Sequence, residues 1–219
     1  MTRPATIQAE RRSRTRAQLL DAAYEVFARD GYHAATLDSI AQRADVSKGA
    51  LYYNFDSKED LFLALLEERL AARAADVTGD GDVARPPQVT PERWASHAIE
   101  SARLDREWNL LFWEFACFAA RRPTQRRRLA RELRSFRAGA GAWFERVLAD
   151  AGIGTPVPAE RMATIIAALA NGLGLELMLG TGEGDEAEAR EAMATAMALL
   201  WRGLASTSEA ANDDREARR

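Results

Sequence analysis

Lys48, Gly49, Ala50, Tyr52, Tyr53 and Asn54 bring a cation, hydroxyl and amide donors and very little bulk together within seven residues. On a helix, side chains of this kind can approach a nucleic-acid groove without steric conflict and meet base edges or phosphates. Ala50, Leu51 and Phe55 recur at helical spacing in the same segment and mark the side that packs inward. Lys58 follows at the start of another helix, where ammonium and helix N-terminus together welcome a phosphate. The chain has two lysines, Lys48 and Lys58, and both fall on this presumed face.

The neighbouring sequence supplies what must position those residues. Thr36 and Ser47 each precede an apolar-periodic run and can cap a helix by accepting from a backbone N–H that otherwise lacks a partner. Leu37, Ile40, Ala41 and Ala44 form the apolar side of the first run, with Val46 at the corner before the second. Asp45 lies in the connecting turn, and Asp is among the few residues besides Gly that enter the left-handed region at modest cost. Upstream, Leu20, Ala23, Tyr24 and Phe27 predict an amphipathic helix over residues 14–29, stopped by Asp30-Gly31. Downstream, Ser57-Lys58-Glu59-Asp60 resembles a capping box and opens a helix carrying Leu61, Phe62, Leu65, Leu66 and Leu70.

Gly31-Tyr32, Thr36-Leu37, Ile40-Ala41, Ala44-Asp45-Val46-Ser47, Gly49, Leu51-Tyr52-Tyr53-Asn54-Phe55 and Ser57-Lys58-Glu59 together resemble the N-terminal domain of the TetR family of bacterial transcriptional regulators. The resemblance covers about the first quarter of the chain in detail and the rest in helical layout only. Asp45 departs from it, standing where the family commonly has Gly. The resemblance implies that Lys48, Gly49 and Ala50 face base edges. It implies that Thr36, Tyr52, Tyr53, Asn54 and Lys58 hold phosphates. Asp38, at the start of the first short helix, is read as serving the helix dipole.

The 219 residues are 47% apolar and carry a net charge of −3, enough for a buried core and too acidic overall for an evenly spread nucleic-acid surface. The charge is uneven. Arg3, Arg11, Arg12, Arg14 and Arg16 crowd the N-terminus against Glu10, and the basic arm, residues 1–13, either touches DNA or is a solvated tail. The single cysteine, Cys117, excludes an internal disulfide and is read as an inert buried thiol in a reducing cytoplasm. No apolar run suggests a signal peptide or membrane span.

The expected fold is all-α with about nine helices: a helix-turn-helix domain over residues 14–56, then a ligand-binding and dimerisation domain over 57–205. A loop from Thr78 to Pro91 contains Pro86-Pro87. Five helices follow, over residues 91–104, 106–121, 124–151, 159–179 and 185–204, and residues 206–219 lack an apolar face and read as a disordered tail. Ala163, Ala167, Ala170 and Gly174, with Ala192, Ala196, Leu199 and Gly203, form small-residue stripes suited to close helix approach across a homodimer. A second copy would present two heads about one duplex turn apart, near 34–36 Å, to a palindromic double-stranded operator.

Trp108, Leu111, Phe112, Phe115 and Phe118 crowd one helix, with Trp94 and Trp143 on flanking segments and Asn171 as a polar addition. Such density suits either a small-molecule pocket or ordinary core. Glu114 among them needs a cation: an arginine such as Arg103 or Arg137, or a ligand. The arginines from Arg121 to Arg137 read as a solvated face by default and as an anionic-ligand or acidic-partner surface otherwise. His33 and His97 stand alone, Cys117 has no evident base, and no phosphate loop or metal spacing occurs. No catalytic residue, metal or cofactor is expected. The expected function is a ligand-responsive DNA-binding regulator, most simply a repressor, with a dimeric interaction module lacking sequence-specific DNA binding as the alternative.

Overall fold

The computed structural model describes residues 4–78, 106–150, 157–180 and 184–216, and every regular element among them is a helix. α1 runs Pro4–Ala34, α2 Leu37–Arg43, α3 Lys48–Asn54, α4 Lys58–Thr78, α5 Arg106–Ala120, α6 Pro123–Asp150, α7 Ala159–Leu179 and α8 Asp185–Glu216. The all-α architecture is as expected; the helix predicted over residues 91–104, Trp94 within it and the Pro86-Pro87 connection lie outside the described residues. Both ends differ from expectation. Residues 4–13 are the first turns of α1 rather than a separate arm, and α8 continues through residues 206–216. The first turns of α1 hold Ala, Gln, Glu and Arg, which are strong helix formers, and both segments extend a helix that is already nucleated.

Two compact units are distinguished. The first comprises α1 to α3, α4 through Ala71, and Leu110–Glu132. Its core is larger than a three-helix head requires, because Leu61, Phe62, Leu65 and Leu66 of α4 are buried with Leu19, Val26 and Phe27 of α1, Ile40 of α2 and Leu51 of α3. At its centre lies Tyr32, fully buried, with ring centroids of Phe115 and Phe118 at 5.1 Å and Phe62 at 5.4 Å. Phe115 also stacks on Phe62 at 4.1 Å. Burial, then the neighbouring Glu59 carboxylate, push the Tyr32 hydroxyl's pKa upward.

The backbone beside Tyr32 is broken deliberately. Gly31 has φ 76° and ψ 162°, a conformation essentially confined to glycine, and the chain turns there before ending at Ala34. Carbonyls freed at such a helix end need new donors. Lys58 provides them: its ammonium donates to Tyr32 O (2.7 Å), His33 O (3.1 Å) and Ala35 O (2.9 Å), and lies 4.6 Å from the Tyr32 ring centroid. Partial burial lowers its pKa from the usual lysine value.

The second unit takes in Leu133 onward and Arg106–Asn109. Trp143, Phe144 and Leu148 of α6, Met162 and Ile166 of α7, and Ala189, Met193 and Met197 of α8 form its core. Gly141 permits a close crossing, since a Cβ there would lie 2.9 Å from the backbone nitrogen of Glu160. By length and composition alone α7 could cross a membrane. It is apolar on two sides. The stripe expected to face a second subunit is in part turned inward: Ala163 and Gly174 are buried, Ala170 packs on the core, and Ala167 is half-buried. With apolar residues nearly all round, spacing alone does not determine which stripe of α7 meets its own chain. On α8, by contrast, Ala192, Leu199 and Gly203 are exposed and Ala196 is half-buried.

Replacing Lys58 by Met keeps the length of the side chain and removes three donors from the end of α1. The expected loss is about 2 kcal/mol of unfolding free energy, measured by urea titration, because hydrogen bonds to a charged donor are the stronger kind. An unchanged midpoint and slope would exclude this role for Lys58.

Candidate nucleic-acid interface

The turn that presents α3 is built locally. Thr36 caps α2, its hydroxyl accepting from the Ser39 N–H (3.1 Å) while Ser39 Oγ accepts from the Thr36 N–H (3.2 Å). Ser47 caps α3 by accepting from the Ala50 N–H at 3.1 Å. Between the helices Asp45 has φ 54°, the left-handed conformation expected of it, so the chain reverses without glycine. Ala41 O accepts from Val46 N–H at 3.1 Å and closes the corner.

This geometry buries Leu51 and Phe55 and turns the rest of α3 outward. Lys48 is 66% exposed, Tyr52 53% and Tyr53 66%. Gly49 is exposed as well, and a Cβ built on it would meet nothing nearer than Ser47 Oγ at 3.8 Å. Packing within the subunit therefore does not call for glycine at this position. A surface glycine in the first turn of a helix costs stability relative to Ala and is accounted for by an external body that must come close. Ala50 is half-buried beside it.

Lys48 donates to Asp38 Oδ2 at 2.5 Å, which raises the lysine pKa through the hydrogen bond and then the charge. Asp38 lies in the first turn of α2, so it serves both the dipole and this pair. The pair joins the two helices at the exposed edge and holds the lysine head near the start of α3. Sequence reading missed this partner, since it assigns Asp38 to the helix dipole alone. Arg12, one of the arginines of the basic N-terminal stretch, has its guanidinium 5.1 Å from the Tyr53 ring centroid and brings the basic part of α1 beside α3.

Three residues proposed to hold phosphates are otherwise engaged. Lys58 directs its ammonium to main-chain carbonyls at the end of α1, not outward. Asn54 is half-buried and donates from Nδ2 to Ala50 O at 2.8 Å, because the last turn of a helix offers an amide side chain its own carbonyls. Thr36 is exposed, with its hydroxyl committed to the cap. Lys48, Gly49, Tyr52 and Tyr53 remain together on one exposed surface, with Ala50 at its edge.

The residues expected to line a ligand site do not assemble as expected. Phe115 is buried and Phe118 half-buried against Tyr32 in the first unit, while Trp143 is buried in the core of the second. Trp108 and Leu111 are buried, Phe112 is half-buried and Asn171 is exposed. Cys117, expected to be buried, is exposed. Glu114 is exposed too, and among the described residues its Oε2 accepts from the Tyr32 backbone N–H at 2.7 Å, with no pairing to Arg137; Arg103 lies outside the described residues. Gly31 makes room for it, since a Cβ there would lie 3.2 Å from the same oxygen. Among the described residues no cluster of His, Cys, Asp and Glu is arranged to hold a metal.

Residues 19–65 match the family described as bacterial regulatory proteins of the tetR family, and residues 91–202 match the C-terminal domain of the BetI-type transcriptional repressors. The HTH-type transcriptional activator FasR of Mycolicibacterium smegmatis is 54% identical over 59 residues, covering 27% of each chain. The repressor AcnR of Corynebacterium diphtheriae is 35% identical over 99 residues, covering 43% of this chain and 52% of its own. The match thus spans about a quarter to a half of the length of these relatives. Among solved structures, Salmonella enterica GusR is 26% identical, with a TM-score of 0.66 over 88% of this chain and 95% of its own. A capped helical pair with an exposed, glycine-bearing second helix, joined to a helical body whose own family match spans about half of the residues, places the chain in the TetR family of bacterial regulatory proteins.

Proposed function

We propose that the chain is a ligand-responsive transcriptional regulator, a cytoplasmic repressor that binds a palindromic operator as a homodimer and is released by a small molecule. The exposed surface of α3 carries this reading: Lys48, Tyr52 and Tyr53 face outward while Leu51 and Phe55 anchor the helix. Gly49 supports it further, because nothing inside the subunit needs that residue to be small. Lys48 with Gly49 and Ala50 reads base edges, and the two tyrosines with Arg12 fix the register on the backbone.

Dimerisation is supported by apolar surface left open on α7 and α8. Ile165, Ala168, Gly172, Leu175 and Leu179 recur three and four residues apart on the exposed side of α7, and Leu199 on α8 is 60% exposed between Ala192 and Gly203. These stripes are suited to a four-helix packing about a two-fold axis, and that accounts for a soluble helix with two apolar sides.

Ligand response is supported by α5. Its first half holds Trp108, Leu111 and Phe112, while Glu114 on the same continuous helix bonds the backbone where α1 ends. A ligand that binds better to a displaced α5 shifts the population toward heads that no longer fit the operator, by no more than its difference in affinity for the two states.

Three measurements test the reading. Selection of duplexes from a random pool should return an inverted repeat, and Gly49→Ala should unfold at the same or a higher temperature yet bind the selected duplex at least tenfold more weakly. Equal affinity for selected and random duplexes would favour a helical interaction module instead. Leu199→Glu should convert dimers to monomers in sedimentation at micromolar concentration; a persistent dimer would remove α8 from the interface. Glu114→Ala should weaken operator binding about 5- to 20-fold, with Glu114→Gln close to wild type because its amide oxygen still accepts from Tyr32. Wild-type affinity in the alanine variant would dismiss Glu114 as the junction.

A further inference from the structure

The unit that carries α3 has an electrostatic problem. Residues 4–60 contain eight Lys and Arg against nine Asp and Glu. Several of those cations are also spent internally: Lys48 on Asp38, Arg43 on Glu25, Arg29 on Asp30, and Lys58 on three carbonyls. Affinity for duplex DNA comes largely from phosphate neutralisation, so a head with no net positive charge is poorly equipped to hold DNA by itself.

The missing charge is in the same compact unit, at the turn from α5 into α6. Residues 115–131 contain six arginines and no acid. Arg128 pairs with Asp60 at the start of α4. Arg121, Arg126, Arg127 and Arg131 are exposed, and among the described residues none of them forms an ion pair. Arg122 is exposed as well, its guanidinium 3.8 Å from the Phe118 ring centroid, and that ring lies 5.9 Å from His33, three residues before the cap of α2. The arginine face therefore borders the end of α1 and the start of α4, the elements that present the helix-turn-helix. The first turn of α6 holds no acid, so Arg126 sits at the positive end of a helix dipole, an arrangement that favours an anion beside it.

We propose that Arg121, Arg122, Arg126, Arg127 and Arg131 form a second surface for duplex DNA, holding phosphates beyond the base pairs that α3 reads. The proposal rests on the reading of α3 as a DNA-binding helix, and it assigns the body-side helices a direct part in binding. Guanidinium groups suit this role because their planar donor forks engage phosphate oxygens in pairs and their charge persists at every physiological pH. Sequence preference is not expected from such a surface, only affinity and its dependence on salt.

The test is a salt titration on a 40-base-pair duplex bearing the site selected by the wild-type protein. Changing Arg121, Arg126, Arg127 and Arg131 together to Gln should raise Kd at least tenfold at 0.1 M salt. It should also reduce the slope of log K against log salt by roughly 7, since a homodimer carries eight of these arginines and each phosphate contact contributes about 0.9. Changing the same four to Lys should restore most of the slope, and the sequence motif should be the same for all three proteins. An unchanged slope in the Gln variant, or a loss that Lys does not restore, would overturn the proposal and leave the face to an acidic protein, an anionic ligand or solvent. If wild type itself binds no duplex, the reading of α3 fails and this surface fails with it.

Discussion

A helix that ends inside a protein must find partners for the polar groups it leaves behind, and the end of α1 is where this constraint organises the molecule. Gly31 breaks the helix, so the carbonyls of Tyr32, His33 and Ala35 and the N–H of Tyr32 all lose regular partners at once. The solution is two-sided. A cation from α4, Lys58, takes the carbonyls, and an anion from α5, Glu114, takes the N–H. Between them the Tyr32 ring fills the space with Phe62 and Phe115. Two helices distant in sequence are thus fixed to the same few backbone atoms, immediately before the cap that starts α2.

That arrangement explains why the unit bearing the helix-turn-helix includes Leu110–Glu132. α1 with the two seven-residue helices α2 and α3 buries too little surface by itself to hold a precise geometry. Phe115 and Phe118 of α5 add that surface by packing on Tyr32. Phe115 and Phe118 show how one composition serves two purposes: aromatic density identifies a place where large area is buried, while the structure decides whether side chain or ligand buries it.

Short-range features were legible in the sequence because the physics behind them is local. The caps at Thr36 and Ser47, the left-handed Asp45 and the outward tyrosines each depend on residues within one or two turns. Longer reach was not legible. Lys58 has a flexible stem and a charge that suits phosphates and carbonyls alike, so its residue type cannot reveal that it turns inward. Glu114 finds its partner 82 residues away, and nothing in its own neighbourhood announces a backbone amide as that partner. The stripes of α7 were ambiguous for a different reason: with apolar residues on every side, periodicity identifies a helix and says little about which way it faces.

In the proposed function the same two contacts are the ones through which a signal reaches DNA. A charge-assisted hydrogen bond of 2.7 Å from the Tyr32 amide to the exposed Glu114 carboxylate is strong enough to hold a geometry, yet its acceptor remains open to solvent. Lys58, half-buried with three acceptors, is the less exchangeable anchor. Of the two ties on the end of α1, the one made by α5 is therefore the weaker. A displacement of α5 gives up the Glu114 bond and the packing of Phe115 and Phe118 on Tyr32 while α4 keeps its hold, so the head can be re-aimed without being unfolded. A regulator must switch orientation many times and remain folded, and this unequal pair of ties, one durable and one yielding, fits both requirements.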